Sequence, residues 1–237
     1  MHKLNIVLLI VLLALQSTYA QRTADSYIES GLKKHERGRV ASAIQDYDRA
    51  IEADPEKEEA YYLRGNAYFD LEDFQAAADD YSRLLQIRPD DADALFNRGN
   101  AFYELGQFEL SAADFSKVID LDPQHYDAWL GRGNAYFKQA RYAEAVKDFN
   151  QGIGLSGDIP DAFYDRGNTY YYLGDYEAAI DDYSKAIELQ EGTYDYYFNR
   201  ALARFSIEMD EDACSDLKRA EALGDPEAGA YLKELCK

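Results

Sequence analysis

A six-residue phrase that returns at one fixed interval constrains this chain more than any other feature. Arg64-Gly65-Asn66-Ala67-Tyr68-Phe69 recurs as Arg98-Gly99-Asn100-Ala101-Phe102-Tyr103 and as Arg132-Gly133-Asn134-Ala135-Tyr136-Phe137. It returns again as Arg166-Gly167-Asn168-Thr169-Tyr170-Tyr171, and in degraded form as Arg200-Ala201-Leu202-Ala203-Arg204-Phe205. Each step is 34 residues, and a weaker copy opens at Ser30-Gly31. Six units therefore tile 24–57, 58–91, 92–125, 126–159, 160–193 and 194–227, leaving 228–237 as a terminal segment. A period of this length marks one supersecondary unit built many times, each copy needing its neighbours to bury its apolar face.

Each unit reads as two helices. In the second, Ala60, Arg64, Ala67, Tyr68 and Leu71 share one face at helical spacing. Phe74, Ala77, Tyr81, Leu84 and Leu85 then repeat the three-and-four pattern in a new segment. Gly38, Gly106 and Gly174 punctuate the turn between the helices, and Pro55, Pro89 and Pro123 stop the second helix. No strict alternation persists, so strands are excluded. The terminal segment, with Tyr231, Leu232 and Leu235, reads as a capping helix.

These residues resemble the tetratricopeptide repeat (TPR) family. Counted from the start of each unit, the family wants a small residue at position 8, which Gly31, Gly65, Gly99, Gly133, Gly167 and Ala201 supply. It wants another at position 20, met by Ala43, Ala77, Ser111, Ala145, Ala179 and Ala213. A bulky ring belongs at position 24, met by Tyr47, Tyr81, Phe115, Phe149 and Tyr183, with Leu217 in the last unit. The resemblance covers nearly the whole chain after its first two dozen residues. It implies an all-α fold: a right-handed α-solenoid of six helical hairpins, with a concave face lined by the first helix of each.

Two charged positions repeat. Position 7 is Arg64, Arg98, Arg132, Arg166 and Arg200; position 23 is Asp46, Asp80, Asp114, Asp148, Asp182 and Asp216. A recurring cation with an equally recurring anion predicts structural ion pairs. The favoured register joins each Asp to the Arg of the following unit, as in Asp46 with Arg64; pairing inside a unit is the alternative.

The resemblance places the candidate binding site on the concave face. Position 9 there reads Asn66, Asn100, Asn134 and Asn168, whose amides can both donate to and accept from an extended peptide backbone. Position 5 adds Tyr62, Phe96 and Tyr164, and position 12 adds Phe69, Tyr103, Phe137 and Tyr171, as apolar contact area. The alternative is that the amides brace neighbouring helices and the rings are core. Position 2 is acidic throughout: Asp25, Glu59, Asp93, Asp127, Asp161 and Asp195. These acids complement the helix dipole, can cap the helix start and lend the groove a negative rim. TPR clamps for acidic tails need Lys where this chain has acids and rings, so a neutral or basic partner segment is expected.

Composition narrows the function. Lys and Arg total 25 against 45 Asp and Glu, a formal charge of -20, which repels a phosphate backbone and argues against nucleic-acid binding. The start, Met1-His2-Lys3 followed by the apolar run 6–15, reads as a signal peptide over residues 1–20, and no later segment is apolar enough to span a membrane. An exported chain with two cysteines suggests a Cys214–Cys236 disulfide, two buried thiols being the alternative. No catalytic, metal-binding or phosphate-cradling motif stands out, so no cofactor, metal or enzymatic activity is expected. The reading is a periplasmic or secreted scaffold that binds an extended segment of a partner protein. Its rival is a glycan-binding or structural component of the cell envelope.

Overall fold

The structure is a computed structural model that describes residues 23–236. The signal-peptide reading and Lys237 lie outside the described residues. Those residues form α1 (23–35), α2 (Val40–Ala53), α3 (Glu58–Asp70), α4 (Phe74–Ile87), α5 (Ala92–Glu104), α6 (Phe108–Leu121) and α7 (Tyr126–Lys138). They continue as α8 (Tyr142–Ser156), α9 (Pro160–Leu173), α10 (Tyr176–Leu189), α11 (Tyr194–Phe205), α12 (Asp210–Ala222) and α13 (Ala228–Leu235). Through α12, odd numbers are the first helix of a repeat and even numbers the second. Among the described residues there is no strand.

The chain divides inside α6 into two compact units, one ending at Lys117 and one beginning at Val118. Within the first, α2 packs on α3, α3 on α4, and α4 on α5. Within the second, consecutive helices pack in the same way from α7 to α13. First helices of successive repeats also touch: α3 with α5, α7 with α9, α9 with α11. Both units are thus stacks of helical hairpins, as a helical solenoid requires.

Local chemistry sets the hairpins. The inner turn carries a left-handed residue at position 15 of every repeat. Gly38, Gly106 and Gly174 take it with φ of 71°, 72° and 80°, and Glu72, Ala140 and Glu208 with 61°, 57° and 62°. Only glycine adopts that conformation without a steric cost. Helix starts are capped by Asp73, Asp91 and Asp175, which accept from backbone N–H groups three residues on, and by His125 Nδ1. The position-2 acids sit in the first turn, where they meet the helix dipole. The side-chain caps come instead from the residue before the helix.

The small residue at position 8 has a visible cause. A Cβ built on Gly65 would stand 2.8 Å from Tyr81 Cε1, and one on Gly167 2.8 Å from Tyr183 Cε1. The position-24 ring lies flat on its own hairpin partner, and only glycine leaves room. In the last repeat the ring is Leu217, and the same position admits Ala201. The core of each hairpin is this ring with buried alanines, such as Ala77, Ala78 and Ala101 around Tyr81.

The charged ladder corrects the expected register. Arg64 Nε and Nη2 donate to both carboxylate oxygens of Asp80, at 2.8 and 2.6 Å, inside one repeat. Arg98 grips Asp114, Arg132 Asp148, Arg166 Asp182 and Arg200 Asp216 in the same two-pronged way. Antiparallel packing sets positions 7 and 23 at one level of the hairpin, so the near partner is the repeat's own acid. The remaining guanidinium nitrogen does reach the preceding repeat, but at position 25. Arg64 Nη1 donates to Asp48, Arg98 Nη1 to Ser82, Arg166 Nη1 to Asn150 and Arg200 Nη1 to Ser184. Asp46 is not paired with Arg64. The first repeat has Ser30 where the others have Arg, and Asp46 is held by Ser30, Lys34 and Arg49.

Cys214 and Cys236 form a disulfide with a Cα separation of 5.7 Å, tying the end of α13 to α12. Tyr231 of α13 meets Phe198 edge-on at 5.2 Å, so the last helix covers apolar surface that a further repeat would otherwise cover.

Candidate functional site

Two clefts on the first-helix face, one in each unit, join position-9 residues to aromatic rings, and a third of about 270 Å³ in the first unit lies between Tyr62, Leu84, Arg88 and the acids Glu58, Glu59, Asp91 and Asp93. The amide-bearing cleft in the first unit encloses about 390 Å³ and is lined by His35, Asn66, Phe69, Asp70, Tyr81, Asn97 and Asn100. That in the second encloses about 250 Å³ between Phe137, Asn168, Tyr171, Tyr172, Tyr183, Asn199 and Leu202. Each is therefore built from positions 9, 12 and 13 of one first helix and positions 6 and 9 of the next, over the position-24 ring.

The amides are partly committed. Asn66 Oδ1 accepts from the Tyr81 hydroxyl at 2.7 Å and from Asn97 Nδ2 at 3.2 Å. Asn168 Oδ1 repeats this with Tyr183 at 2.8 Å and Asn199 at 3.1 Å. The position-9 carbonyl thus joins three helices: its own, the second helix beneath it and the next first helix. The bracing role holds for these oxygens. Asn134 instead bonds Asp165. Asn100 lines the first cleft above Phe115, a ring with no hydroxyl to give it. In the first repeat Leu32 takes the place of the Asn, and the Tyr47 hydroxyl is buried with no partner among the described residues. Burial pushes its pKa up to about 12, with Asp46 and Glu36 adding to the rise. Burial also raises Tyr81 and Tyr183.

The rings divide by position. Tyr62, Phe96 and Tyr164 at position 5 pack on Tyr81, Phe115 and Tyr183, at centroid distances of 6.2, 5.5 and 5.9 Å. The Tyr62 and Tyr164 hydroxyls also accept from Asn97 and Asn199. These rings are bound into the hairpin packing and line neither amide-bearing cleft, though Tyr62 lines the acidic one beside Arg88. Position 12 behaves differently. Phe69, Tyr103, Phe137 and Tyr171 rest edge-on or tilted against Phe74, Phe108, Tyr142 and Tyr176 at 5.1 to 5.5 Å. Phe69, Phe137 and Tyr171 form cleft walls.

These repeats match known sequence profiles. TPR profiles match residues 31–72, 65–106, 96–158 and 160–192. The chain belongs to the tetratricopeptide repeat family. TPR families are generally scaffolds rather than enzymes. No curated protein matches the chain by sequence. Among solved structures, the TPR fold is shared with MamA at 24% identity and a TM-score of 0.65, covering 70% of this chain and 96% of MamA. It is shared with PilF of Pseudomonas aeruginosa at 19% identity and a TM-score of 0.73, covering 91% and 99%. YrrB, a TPR protein with an unusual peptide-binding site, matches at 26% identity and a TM-score of 0.63, covering 70% and 85%.

Several groups on this TPR face are not apparent from the repeated positions. His35 replaces the position-12 ring in the first repeat, and its Nε2 lies 2.6 Å from Asp70 Oδ2 of the second. Asn97 and Asn199 at position 6 complete the amide bridges, and Asp165 takes their place in the fifth repeat. Tyr172 stands 61% exposed at position 13, stacked on Tyr142 at 5.4 Å and edge-on to Phe137. His35, Asp165 and Tyr172 each occur once at their position and Asn97 and Asn199 only twice at theirs, so a search for recurrence passes over all five.

Asp165 has an unusual electrostatic setting. Burial pushes its pKa up to about 6; an Asn134 hydrogen bond opposes the rise, Asp161 adds to it, and Lys138 opposes it weakly. At position 23, burial raises Asp80 and Asp182 while the bidentate Arg opposes it. No ion pair among the described residues involves Asp165.

Among the described residues no group of three His, Cys, Asp or Glu side chains could hold a metal ion. No described helix is long and apolar enough to cross a membrane.

Proposed function

We propose that this TPR protein is an exported, non-enzymatic adaptor that binds an extended segment of a partner protein along the first-helix faces of its repeats. The observation that carries this reading is the pair of clefts. Each joins amide groups to aromatic walls, a combination suited to a peptide backbone flanked by apolar side chains. YrrB, with its peptide-binding site, lends support as a relative of the same fold. The acids in the first turns and the charge of -20 favour a neutral or basic segment. Residues 1–20 would direct export, and the Cys214–Cys236 disulfide is compatible with an oxidising compartment.

The test uses Asn100 and Phe69, which line the first-unit cleft. The purified chain and its Asn100→Ala/Phe69→Ala variant are mixed with displayed random peptides, and bound sequences are counted. Enrichment by the parent that falls at least fivefold in the variant supports the reading. Equal enrichment by both would refute a role for this cleft. Export is tested by fusing residues 1–22 to an enzyme active only after export; an inactive fusion refutes it.

A further inference from the structure

We infer that the first-helix face of the fifth repeat, from Asp165 to the aromatic wall of the second-unit cleft, selects a Lys or Arg side chain lying within two residues of an aromatic one on the partner segment. This rests on the peptide-binding reading above and names which peptides that site selects. Two independent features of the fifth repeat carry it.

The first is a carboxylate left without a cation. The six position-23 aspartates each hold an Arg or Lys. Asp165 is partly buried on the first-helix face and has only the neutral Asn134 amide as a hydrogen-bond partner. The charged groups around it are Asp161, one turn earlier on α9, and Lys138 on α7, which makes no ion pair with it. Asp161 is itself engaged, accepting from the Tyr196 hydroxyl of α11 at 2.6 Å. A partly buried carboxylate one turn from a second one favours an incoming cation, and charge-assisted bonds are the strong ones.

The second feature is the ring cage one to two turns further along α9. Tyr171 and Tyr172 meet edge-on at 6.0 Å, Tyr172 also meets Phe137 edge-on, and Tyr142 is stacked against Tyr172. Leu202 of α11 lines the same cleft. A tyrosine left 61% exposed in such a cage offers an apolar wall to a guest. From Asp165 to these rings is roughly 10 Å along the helix. Residues i and i+2 of an extended segment point the same way and lie roughly 7 Å apart, within reach of both for long side chains.

The repeats themselves supply tolerated substitutions. Position 6 is Asn in Asn97 and Asn199, and position 13 is Ser in Ser206. Asp165→Asn and Tyr172→Ser therefore place at each position a residue that other repeats already carry. A displayed library of random twelve-residue peptides is selected on the full chain and on each variant, with circular dichroism confirming that both variants fold. The expected result is parent pools enriched in Lys or Arg near an aromatic residue. Asp165→Asn should lose the basic preference and bind the selected peptides about tenfold more weakly. Tyr172→Ser should lose the aromatic preference and keep the basic one. Parent pools without the basic–aromatic pair overturn the inference. So does a pair that survives Asp165→Asn, even if Asn100→Ala/Phe69→Ala abolishes binding and peptide binding as such stands. Parent pools with no enriched sequence overturn both.

Discussion

Replacing Asp165 by Asn should make the protein more stable at neutral pH, although it removes a group assigned to binding. Asp165 titrates near 6 in the folded chain against an ordinary 3.8. The folded state therefore holds the proton more tightly than the unfolded chain. The stabilisation from that proton is fully present below pH 3.8 and is lost as pH rises through 6. Two pKa units correspond to about 3 kcal/mol, an upper bound because the side chain is only partly buried. Asn keeps a polar group beside Asn134 and carries no charge to desolvate. We expect Asp165→Asn to gain about 1 to 3 kcal/mol at pH 8, the gain shrinking between pH 6 and 4 and vanishing near pH 3.8. Urea unfolding at several pH values, followed by Trp129 fluorescence, reads this in the correct unit, since Trp129 is the sole tryptophan and lies on α7. A variant less stable than the parent at pH 8, or a difference unchanged from pH 4 to 8, would refute the reasoning. Higher stability with weaker peptide binding would mark a group kept for recognition rather than for folding.

Three further outcomes follow from the packing. Arg64→Leu strands the buried Asp80 carboxylate and should destabilise by about 3 to 5 kcal/mol in urea unfolding, while Arg64→Leu/Asp80→Leu should recover much of the loss. Ala140→Gly relieves a left-handed backbone at φ 57° and should stabilise by about 1 kcal/mol, measured the same way. Reducing Cys214–Cys236, with a sequence separation of 22, should remove about 3 kcal/mol and show as earlier hydrogen exchange in α12 and α13.

Much of the fold was legible because the constraints repeat. A glycine under a ring recurs from Gly31 to Gly167, and the exchange to Ala201 under Leu217 keeps the same logic. The ion-pair register was not legible, and periodicity is the reason. Arg at position 7 and Asp at position 23 recur together, so a 16-residue step within a repeat and an 18-residue step between repeats give the same pattern. Ser30 at the head of the series even favoured the wrong step, since it left Asp46 to look for Arg64. Lys34 supplies the missing cation, and only three-dimensional contact reveals that. The amide ladder was half legible. Asn66 and Asn168 can bond a guest or the chain, and the hydroxyls of Tyr81 and Tyr183 decide in favour of the chain for the oxygens. Asp165 and Tyr172 carry no recurrence, so their meaning comes only from their neighbours.

The most direct measurement is backbone NMR of the chain titrated with a peptide recovered by the selection. Shift changes concentrated on the first-helix residues Asn66, Asn100, Asn168 and Tyr172, with the second helices quiet, are what a guest on this face produces. Shifts confined to the second helices, or to the surface of α13, would place the guest elsewhere and contradict the account.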